Sequence, residues 1–426
     1  MKNKFRYLIV GNSAGAISAL ESIRRVDKEG SIGLFSWETY PPYSRPLLAK
    51  WLKGERKENR MYFRPRSIYQ HFGAKAFLGV RVEKILPGEN TILTSSGEYG
   101  FEKLLLTTGA LPFLPPGIPR DREGIFTFTT WDEAKALQQF IQVSKPRRIL
   151  VLGGGLIGLE VTDALVDMGI KVFLVELADR LLPATLDGEG SRILVRRLRS
   201  KGVEVYLEDT VVEWWGRDGI KGGVLKSGEK LEFEGAVIAV GVRPNVEMMK
   251  DAGMKVGRGI VVNEKMETSI PGIYAAGDVV EVKNLLSGKR AALPLWPEAV
   301  KEGRVAGINM AGGKAAYPGG YPMNAVEILG LPMVSMGITD TGGEGWEVVK
   351  RREGTEKYLK LVIKDNRIVG GIFFGDIEKS GIYNYILREG LDISPFRDKL
   401  LEDDFGIISL PHEFRKHLVT GPGVEV

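Results

Sequence analysis

A short apolar run, a turn of small residues and an amphipathic segment follow one another twice along the chain. The first copy begins at residues 7–16 (YLIVGNSAGA) and the second at residues 149–158 (ILVLGGGLIG). Each copy predicts a buried strand, a turn, a helix and then a second apolar strand, which is the strand–helix–strand unit of a parallel sheet. The predicted helices cover 16–25 and 157–168, and the second strands cover 31–36 and 171–176.

Each unit closes with a further apolar strand that ends in glycine, LLLTTG at 104–109 and AVIAVG at 236–241, before a proline-rich linker. Between the units, a helix over 131–142 with Thr130 as N-cap is predicted. A third apolar strand, GIYAAGD, occupies 272–278, and a helix is predicted over 298–311.

The pattern changes from about residue 315. Alternating apolar runs at 357–364 and 367–374 flank Asp365-Asn366 and predict a hairpin. A helix over 377–389 follows, and residues 395–426 have little periodicity, which indicates an extended tail. We therefore expect a separate C-terminal α+β domain.

The second turn, Gly153-x-Gly155-x-x-Gly158, follows a strand and opens a helix. This is the geometry in which backbone N–H groups approach a dinucleotide pyrophosphate. Glu176 ends the next strand, where a carboxylate accepts hydrogen bonds from both ribose hydroxyls and repels a 2′-phosphate. We therefore predict a site for NADH rather than NADPH, with Arg180 as a nearby cation that weakens the argument. The alternative is a chance glycine turn with a solvent-exposed glutamate.

The first turn, Gly11-x-Ser13-x-x-Ala16, departs from that pattern at two positions, but both replacements are small. The strand after it ends at Ser36, where an acid is usual, and Glu38 is the candidate substitute. The internal repeat favours a second dinucleotide site here.

The ordered motifs GxSxxA, TTG ending at Gly109, GxGxxG with Glu160, VGVRPN and AAGD ending at Asp278 resemble the flavoproteins that have two dinucleotide-binding domains. The resemblance covers about residues 1–375. It implies an α/β fold of two nested Rossmann-like dinucleotide-binding domains plus a C-terminal α+β interface domain. The expected boundaries are 1–118 and 246–313 for the FAD-binding domain, 119–245 for the NAD-binding domain, and 314–426 for the interface domain with its tail.

The resemblance implies that FAD binds at the first turn and NADH at the second. Asp278 resembles the family's ribityl-binding aspartate. The residues expected to bind FAD are Gly11, Ser13, Ala16, Gly109 and Asp278, and those expected to bind or frame NADH are Gly153, Gly155, Gly158, Glu176 and Gly241. The remaining predicted cofactor-binding residues are Glu38, Arg45, Thr108, Gly277 and Trp296.

The segment PPYSRPLLAK, residues 41–50, is similar to the ferredoxin and rubredoxin reductases and the apoptosis-inducing-factor branch. In these proteins a lysine at the position of Lys50 pairs with a glutamate at the position of Glu160 beside the flavin N5. A cation there stabilises the negative charge of reduced flavin. Trp296 stands where the family packs a helix N-terminus against the flavin. The alternative, if the resemblance is set aside, is that Lys50 is a surface lysine, Glu160 an ordinary helix residue and Trp296 a core residue.

Cysteine is absent and there are three histidines, which excludes thiol chemistry and argues against a metal site. The net charge of +5 over 426 residues does not indicate nucleic acid, and no apolar stretch reaches the length of a membrane helix. A cytoplasmic protein is the default expectation.

The segment from Arg45 to Lys84 holds eleven Lys and Arg and three Glu, a net charge of +8. One interpretation is a solvated surface; the other is a docking patch for an acidic iron–sulfur protein. The predicted function is hydride transfer between NADH and FAD with single-electron transfer between FAD and such a partner. The alternatives are a peroxide-forming NADH oxidase and a flavoprotein subunit of a larger redox complex, with a homodimer also open.

Overall fold

The structure, a computed structural model, describes residues 3–341, 345–412 and 414. The helices that the following sections use are numbered in chain order within these ranges. They are α1 (Ala14–Val26), α2 (Leu48–Leu52), α3 (Ile68–His71), α4 (Trp131–Ser144), α5 (Leu156–Asp167), α6 (Gly188–Ser200), α7 (Glu247–Asp251), α8 (Trp296–Met310) and α9 (Ser380–Glu389). Short 3-10 turns cover Arg45–Leu47, Glu58–Arg60, Pro87–Glu89, Ser394–Lys399 and Ile407–Ser409.

A seven-stranded sheet is built on the first glycine turn. Its strands Asn3–Val10 and Ile32–Ser36 run parallel, and the second is buried along its whole length, as expected where helices or other layers cover both faces. In spatial order the strands are Ala74–Leu78, Ile32–Ser36, Asn3–Val10, Gly97–Leu106, Thr91–Thr94 and Val82–Leu86, with Ile273–Ala275 also paired to Gly97–Leu106.

A second, five-stranded sheet is built on the second glycine turn, and its strand pairs are parallel. In spatial order its strands are Glu204–Tyr206, Lys171–Val175, Arg148–Leu152, Gly235–Ile238 and Ile125–Phe126. Helix α4 begins at Trp131 after the predicted N-cap Thr130, whose side chain and that of Glu133 form a capping box.

The two sheets are nested. Strand Ile273–Ala275 joins the first sheet although the whole second sheet precedes it in sequence. The two connecting segments, Ala110–Pro112 and Val242–Pro244, lie side by side as an antiparallel pair. The predicted nested α/β fold is therefore confirmed.

Two three-stranded sheets flank this framework. Their strands are Val211–Trp215, Gly222–Leu225 and Lys230–Glu232 in one, and Ile260–Val261, Val280–Lys283 and Arg290–Ala291 in the other.

The C-terminal domain is a five-stranded antiparallel sheet on which α9 packs. The predicted hairpin is present, and Asp365 and Asn366 both have positive φ (51° and 54°), as a two-residue type I′ turn requires. In spatial order the strands are Met323–Ile328, Leu331–Gly337, Arg367–Phe374, Lys357–Lys364 and Glu347–Glu353.

The extended tail expected from residue 395 is wrong as far as Leu410. Phe396, Leu400, Phe405 and Leu410 are buried in the same core as Tyr383 of α9. Large apolar side chains at irregular spacing carry no period, yet they stabilise a segment that winds over a hydrophobic surface. Residue 413 and residues 415–426 of the expected tail lie outside the described residues.

Among the described residues, no helix is long and apolar enough to cross a membrane. The same residues contain no group of three or more His, Asp or Glu side chains arranged to hold a metal ion.

Candidate active site

A cavity of about 1430 Å³ lies at the carboxyl ends of the parallel strands of the two sheets. Both glycine turns line it, as do the glycines that close each unit, Gly109 and Gly241. The predicted site residues line this cavity except Ala16, Gly158 and Lys50. Carboxyl ends of parallel strands are where α/β folds bind dinucleotides, so the position agrees with the predicted chemistry.

The first turn brings backbone close to backbone. Gly11 has a φ of +122°, and a Cβ there would lie 2.3 Å from Oγ1 of Thr107, the residue after the neighbouring strand. Ser13 is the N-cap of α1, and Ala16 is fully buried within the helix. Ala16 therefore serves the packing of α1, while Gly11 and Ser13 face the cavity.

The second turn assigns a different steric role to each glycine. A Cβ on Gly153, with φ of +113°, would lie 2.4 Å from the carbonyl oxygen of Ala239, and one on Gly158 would lie 1.9 Å from that of Gly153. A Cβ on Gly155, the N-cap of α5, would meet no atom within 4 Å. Gly155 thus leaves open space at a helix N-terminus, where a pyrophosphate would approach.

The acidic residue that follows each glycine turn, Glu38 or Glu176, already accepts hydrogen bonds from other groups of the protein. Oε2 of Glu176 accepts from the N–H of Gly154 (2.6 Å) and Oε1 accepts from the N–H of Ala178 (2.7 Å). Glu38 accepts from the hydroxyl of Tyr43 (2.6 Å) and from the guanidinium of Arg45. A carboxylate oxygen has two acceptor positions, so both acids keep capacity for a ribose hydroxyl.

Arg45 connects Glu38 to the far side of the cavity. Its guanidinium also donates to the carbonyl oxygen of Thr129 (2.6 Å). Burial raises the pKa of the Asp278 carboxyl, and the positive charge of Arg45 lowers it. The half-buried Arg45 therefore pairs directly with Glu38 and acts on Asp278 through space.

A second buried acid supports the Gly277-Asp278 turn. Glu302 of α8, which is 1% exposed, accepts the N–H of Gly277 at 2.7 Å. Burial raises the pKa of Glu302 despite this hydrogen bond. Trp296 is the first residue of α8, is half-buried at the cavity and meets the ring of Phe63 edge-on at 5.0 Å.

Glu160 lies on α5, one turn after the glycine turn, and lines the cavity. Burial and, to a smaller extent, the nearby charge of Asp163 raise its pKa to about 7, although the charge of Lys50 lowers it. Lys50 is exposed on α2, and no ion pair within 4 Å joins it to Glu160. The two residues therefore influence each other through space, and the direct pair remains a prediction.

Two sequence matches agree with this geometry. Residues 5–303 match the pyridine nucleotide-disulphide oxidoreductase family, and residues 322–391 match the rubredoxin NAD+ reductase C-terminal domain. The chain belongs to the pyridine nucleotide-disulphide oxidoreductase family. It is an NAD(P)H-dependent flavoprotein oxidoreductase of this family, and its cofactors are FAD and NAD(P)H. The predicted resemblance is confirmed.

The relatives of this oxidoreductase differ in what their names say they reduce. The chain is 31% identical to an NADH oxidase of Methanocaldococcus jannaschii (80% of this chain, 76% of the relative) and 30% identical to a rubredoxin-NAD(+) reductase of Pseudomonas putida (73% and 81%). It is 30% identical over 92% of its length to a nitrite reductase [NAD(P)H] of Bacillus subtilis, but spans about half (48%) of that protein.

A reductase chain in a solved complex has the same fold as this oxidoreductase. The reductase in the covalent putidaredoxin reductase–putidaredoxin complex matches with a TM-score of 0.84 at 22% identity, over 94% of this chain and 96% of that chain. At that identity the likeness shows the fold alone.

Sequence reasoning missed part of the oxidoreductase cavity. Trp37 and Arg81 both line it, and the guanidinium of Arg81 stands over the Trp37 ring, 5.5 Å from its centre. Residues 182–185 and 210–212 line the cavity near the second glycine turn and Glu176. The position of Trp37 between Ser36 and Glu38 was a usable signal, whereas the two loops have no period that could have revealed them.

Glu176 should decide the choice of nicotinamide. Leu177 beside it is 65% exposed and lines the cavity, so a cation placed there can reach a 2′-phosphate. In the double variant Glu176→Gln, Leu177→Arg we expect the kcat/KM ratio of NADPH to NADH to rise about 10- to 100-fold, because a repulsive charge is replaced by an attractive one. Steady-state kinetics with both cofactors measure the ratio. The matched control, Leu177→Gln, should leave it unchanged; equal use of both cofactors by the wild type would contradict the argument.

Proposed function

We propose that the protein transfers hydride from NADH to FAD and then single electrons from FAD to an acidic iron–sulfur protein. The observation that carries the proposal is one continuous cavity lined by both glycine turns, with the exposed basic segment next to it. FAD supplies the conversion between two-electron nicotinamide chemistry and one-electron transfer. The relative named rubredoxin-NAD(+) reductase and the match of residues 322–391 support this acceptor class.

The chain's own residues have separable tasks in this proposal. Gly11, Ser13 and Asp278 hold FAD at the first turn, while Gly155 and Glu176 hold NADH at the second. Each turn leads into a helix N-terminus, α1 or α5, whose N–H groups favour phosphate oxygens. Placing both sites in one cavity brings the two cofactors together without a moving carrier.

Lys50 and Glu160 tune the flavin in this proposal. With a pKa of about 7, Glu160 is mostly neutral below pH 7 and mostly charged above it. A charged Glu160 attracts Lys50 and would hold its ammonium where it stabilises reduced flavin, whereas a neutral carboxyl would lose that hold.

Changing the flavin pair should therefore change reduction rather than binding. In Lys50→Met and in Glu160→Gln we expect bound FAD, an altered flavin potential and flavin reduction by NADH slowed about 10-fold, since one lost charge interaction of this kind corresponds to about 1.4 kcal/mol. Anaerobic stopped-flow absorbance measures the rates. The double variant should be no slower than the slower single variant if the two act as one unit. Additive losses would mean that they are not partners.

The proposed function is tested by one absorbance experiment. The purified protein should show a flavin spectrum with one FAD per chain, bleach on anaerobic addition of NADH, and regain absorbance when an oxidised rubredoxin or ferredoxin is added. FMN, or two FAD per chain, would contradict the assignment of the two turns. Bleaching without reoxidation by any acidic iron–sulfur protein would contradict the acceptor.

A second candidate is a peroxide-forming NADH oxidase. The relative named NADH oxidase favours it, and the lack of cysteine leaves no thiol to carry O₂ reduction further. Peroxide release at a rate that matches NADH consumption in air, with no stimulation by iron–sulfur acceptors, would select this candidate.

A further inference from the structure

Helices α2 and α5 pack against each other. Each places two charged residues, one helical turn apart, toward the other: lysines from the α2 side and carboxylates from α5. Lys50 lies on α2 and Lys53 caps its C-terminus, while Glu160 and Asp163 lie on α5. Residues three apart share a helix face, so the spacing on one helix matches the spacing on the other. The two helices belong to one core, in which Leu48, Leu52 and Leu159 are buried.

The second set is a closed ion-pair cluster. The ammonium of Lys53, with a side chain 10% exposed, lies 2.9 Å from Asp163, 2.9 Å from Asp167 and 3.0 Å from Glu55. Burial alone would lower the pKa of Lys53, but the hydrogen bonds to Asp163, Asp167 and Glu55 raise it. Lys53 therefore carries its positive charge throughout the working pH range.

Asp163 also contacts the C-terminal domain. Its Oδ2 accepts from Lys53, and its Oδ1 accepts at 2.7 Å from the N–H of Leu329, in the turn between two strands of the C-terminal sheet. Leu329 has a positive φ of 50°, and its carbonyl oxygen accepts from the guanidinium of Arg197 at 2.6 Å. One carboxylate thus ties α5 to α2 and to the C-terminal domain.

We propose that Lys53 and Asp163 are positioning residues: their ion pair fixes Lys50 opposite Glu160 and controls when Glu160 carries its charge. The proposal rests on the proposed role of Lys50 and Glu160 beside the flavin. A buried ion pair whose remaining lone pairs are also satisfied restricts the relative placement of the elements it joins. Holding α2 on α5 one turn away fixes the backbone of Lys50 relative to that of Glu160.

The charges around Glu160 determine in which direction each substitution should shift its pKa. Asp163 on the same helix raises the pKa of Glu160, and Lys50 on α2 lowers it. Lys53 offsets Asp163, and the C-terminal turn contributes the backbone N–H of Leu329 to the cluster. Removing Asp163 or removing Lys53 should therefore move the titration of Glu160 in opposite directions.

The experiment is a titration of Glu160 in the FAD-bound protein. Side-chain carboxyl carbons of glutamate are labelled with ¹³C, and the Glu160 resonance is assigned by its loss in Glu160→Gln. In Asp163→Asn the midpoint should fall by about one pH unit, because Lys53 keeps Asp167 and Glu55 while a neighbouring negative charge is lost. In Lys53→Gln, which keeps a donor but no charge, the midpoint should rise by a similar amount.

The control uses the same lysine. Asp167→Asn removes another partner of Lys53, but Asp167 lies two turns from Glu160 with a side chain 47% exposed, so a smaller shift is expected. If the Lys53–Asp163 pair only held the two helices together, both variants should shift the Glu160 midpoint in the same direction or leave it unchanged. Loosened packing would hydrate Glu160 and lower its midpoint, as Asp163→Asn should, so the upward shift in Lys53→Gln is the deciding result. Should Lys53→Gln fail to fold, Lys53→Met, which keeps the apolar stem of the side chain without its charge, should give the same upward shift.

Two failures can be told apart. Shifts of the same sign in both variants, or an unmoved Glu160 midpoint, overturn the positioning role whatever the enzyme reduces. Opposite shifts, accompanied by flavin reduction that does not respond to Glu160→Gln or Lys50→Met, support the ion-pair cluster and overturn the proposed flavin pair instead.

Discussion

Reversing three exposed cations, Arg56, Lys57 and Arg60, to glutamate is expected to slow electron transfer to an acidic iron–sulfur protein about 10- to 100-fold at low ionic strength. Flavin reduction by NADH should keep its rate, because it occurs inside the cavity. The two half-reactions are measured separately, by stopped-flow reduction of the flavin and by reoxidation with a rubredoxin or ferredoxin.

The structure explains why these three residues are chosen from the basic segment. Arg45 and Lys53 are engaged with buried carboxylates, and Arg64 forms an ion pair with Glu21 at 2.8 Å. Arg56, Lys57 and Arg60 are exposed and form no ion pair with another described residue. Their charge is therefore available to an approaching partner.

Salt and a matched variant separate docking from a general charge effect. In the wild type, acceptor turnover should fall steeply with salt, because exposed charges are screened within about 10 Å at 0.1 M. The triple variant should have lost most of that dependence. Reversing Lys28, Lys226 and Lys399, which are exposed elsewhere, changes net charge equally and should have a smaller effect. Intact acceptor kinetics in the first triple variant would move the docking site to the C-terminal domain, where Ile408 is 86% exposed.

Replacing Gly155 by valine is expected to raise the KM for NADH about 100-fold or more without unfolding the protein. A Cβ there meets no protein atom within 4 Å, so the added side chain would enter the space that the pyrophosphate would occupy. The backbone of Gly155 has a φ of −80°, which valine adopts without strain. Stability should change by no more than about 1 kcal/mol, the range for an N-cap substitution.

The equivalent position in the first turn is the control for this variant. Ser13 is the N-cap of α1, as Gly155 is of α5. Ser13→Val should reduce FAD content, measured by flavin absorbance per chain, whereas Gly155→Val should retain full FAD and lose NADH affinity. Loss of FAD in Gly155→Val, or an unchanged KM, would contradict the assignment of the second turn to NADH.

Much of the framework was predictable because its signals are local. A buried strand, a turn that needs glycine and an amphipathic helix lie next to each other in sequence. Two copies of this pattern therefore predict two parallel-sheet units. The hairpin at Asp365-Asn366 and the helix capped by Thr130 were predictable for the same reason. The irregular segment up to Leu410 was not, because its burial depends on a surface formed elsewhere in the chain.

For the site, the sequence by itself determined which residue types are available: two small-residue turns, an acid after each, Lys50, Glu160 and no thiol. Only the tertiary structure decided how they act. It buries Glu160 enough to raise its pKa to about 7, and it brings Lys53 to Asp163 across 110 positions of sequence. Burial and long-range ion pairs are properties of packed surfaces, because desolvation depends on every atom around a group and not on its neighbours in the chain.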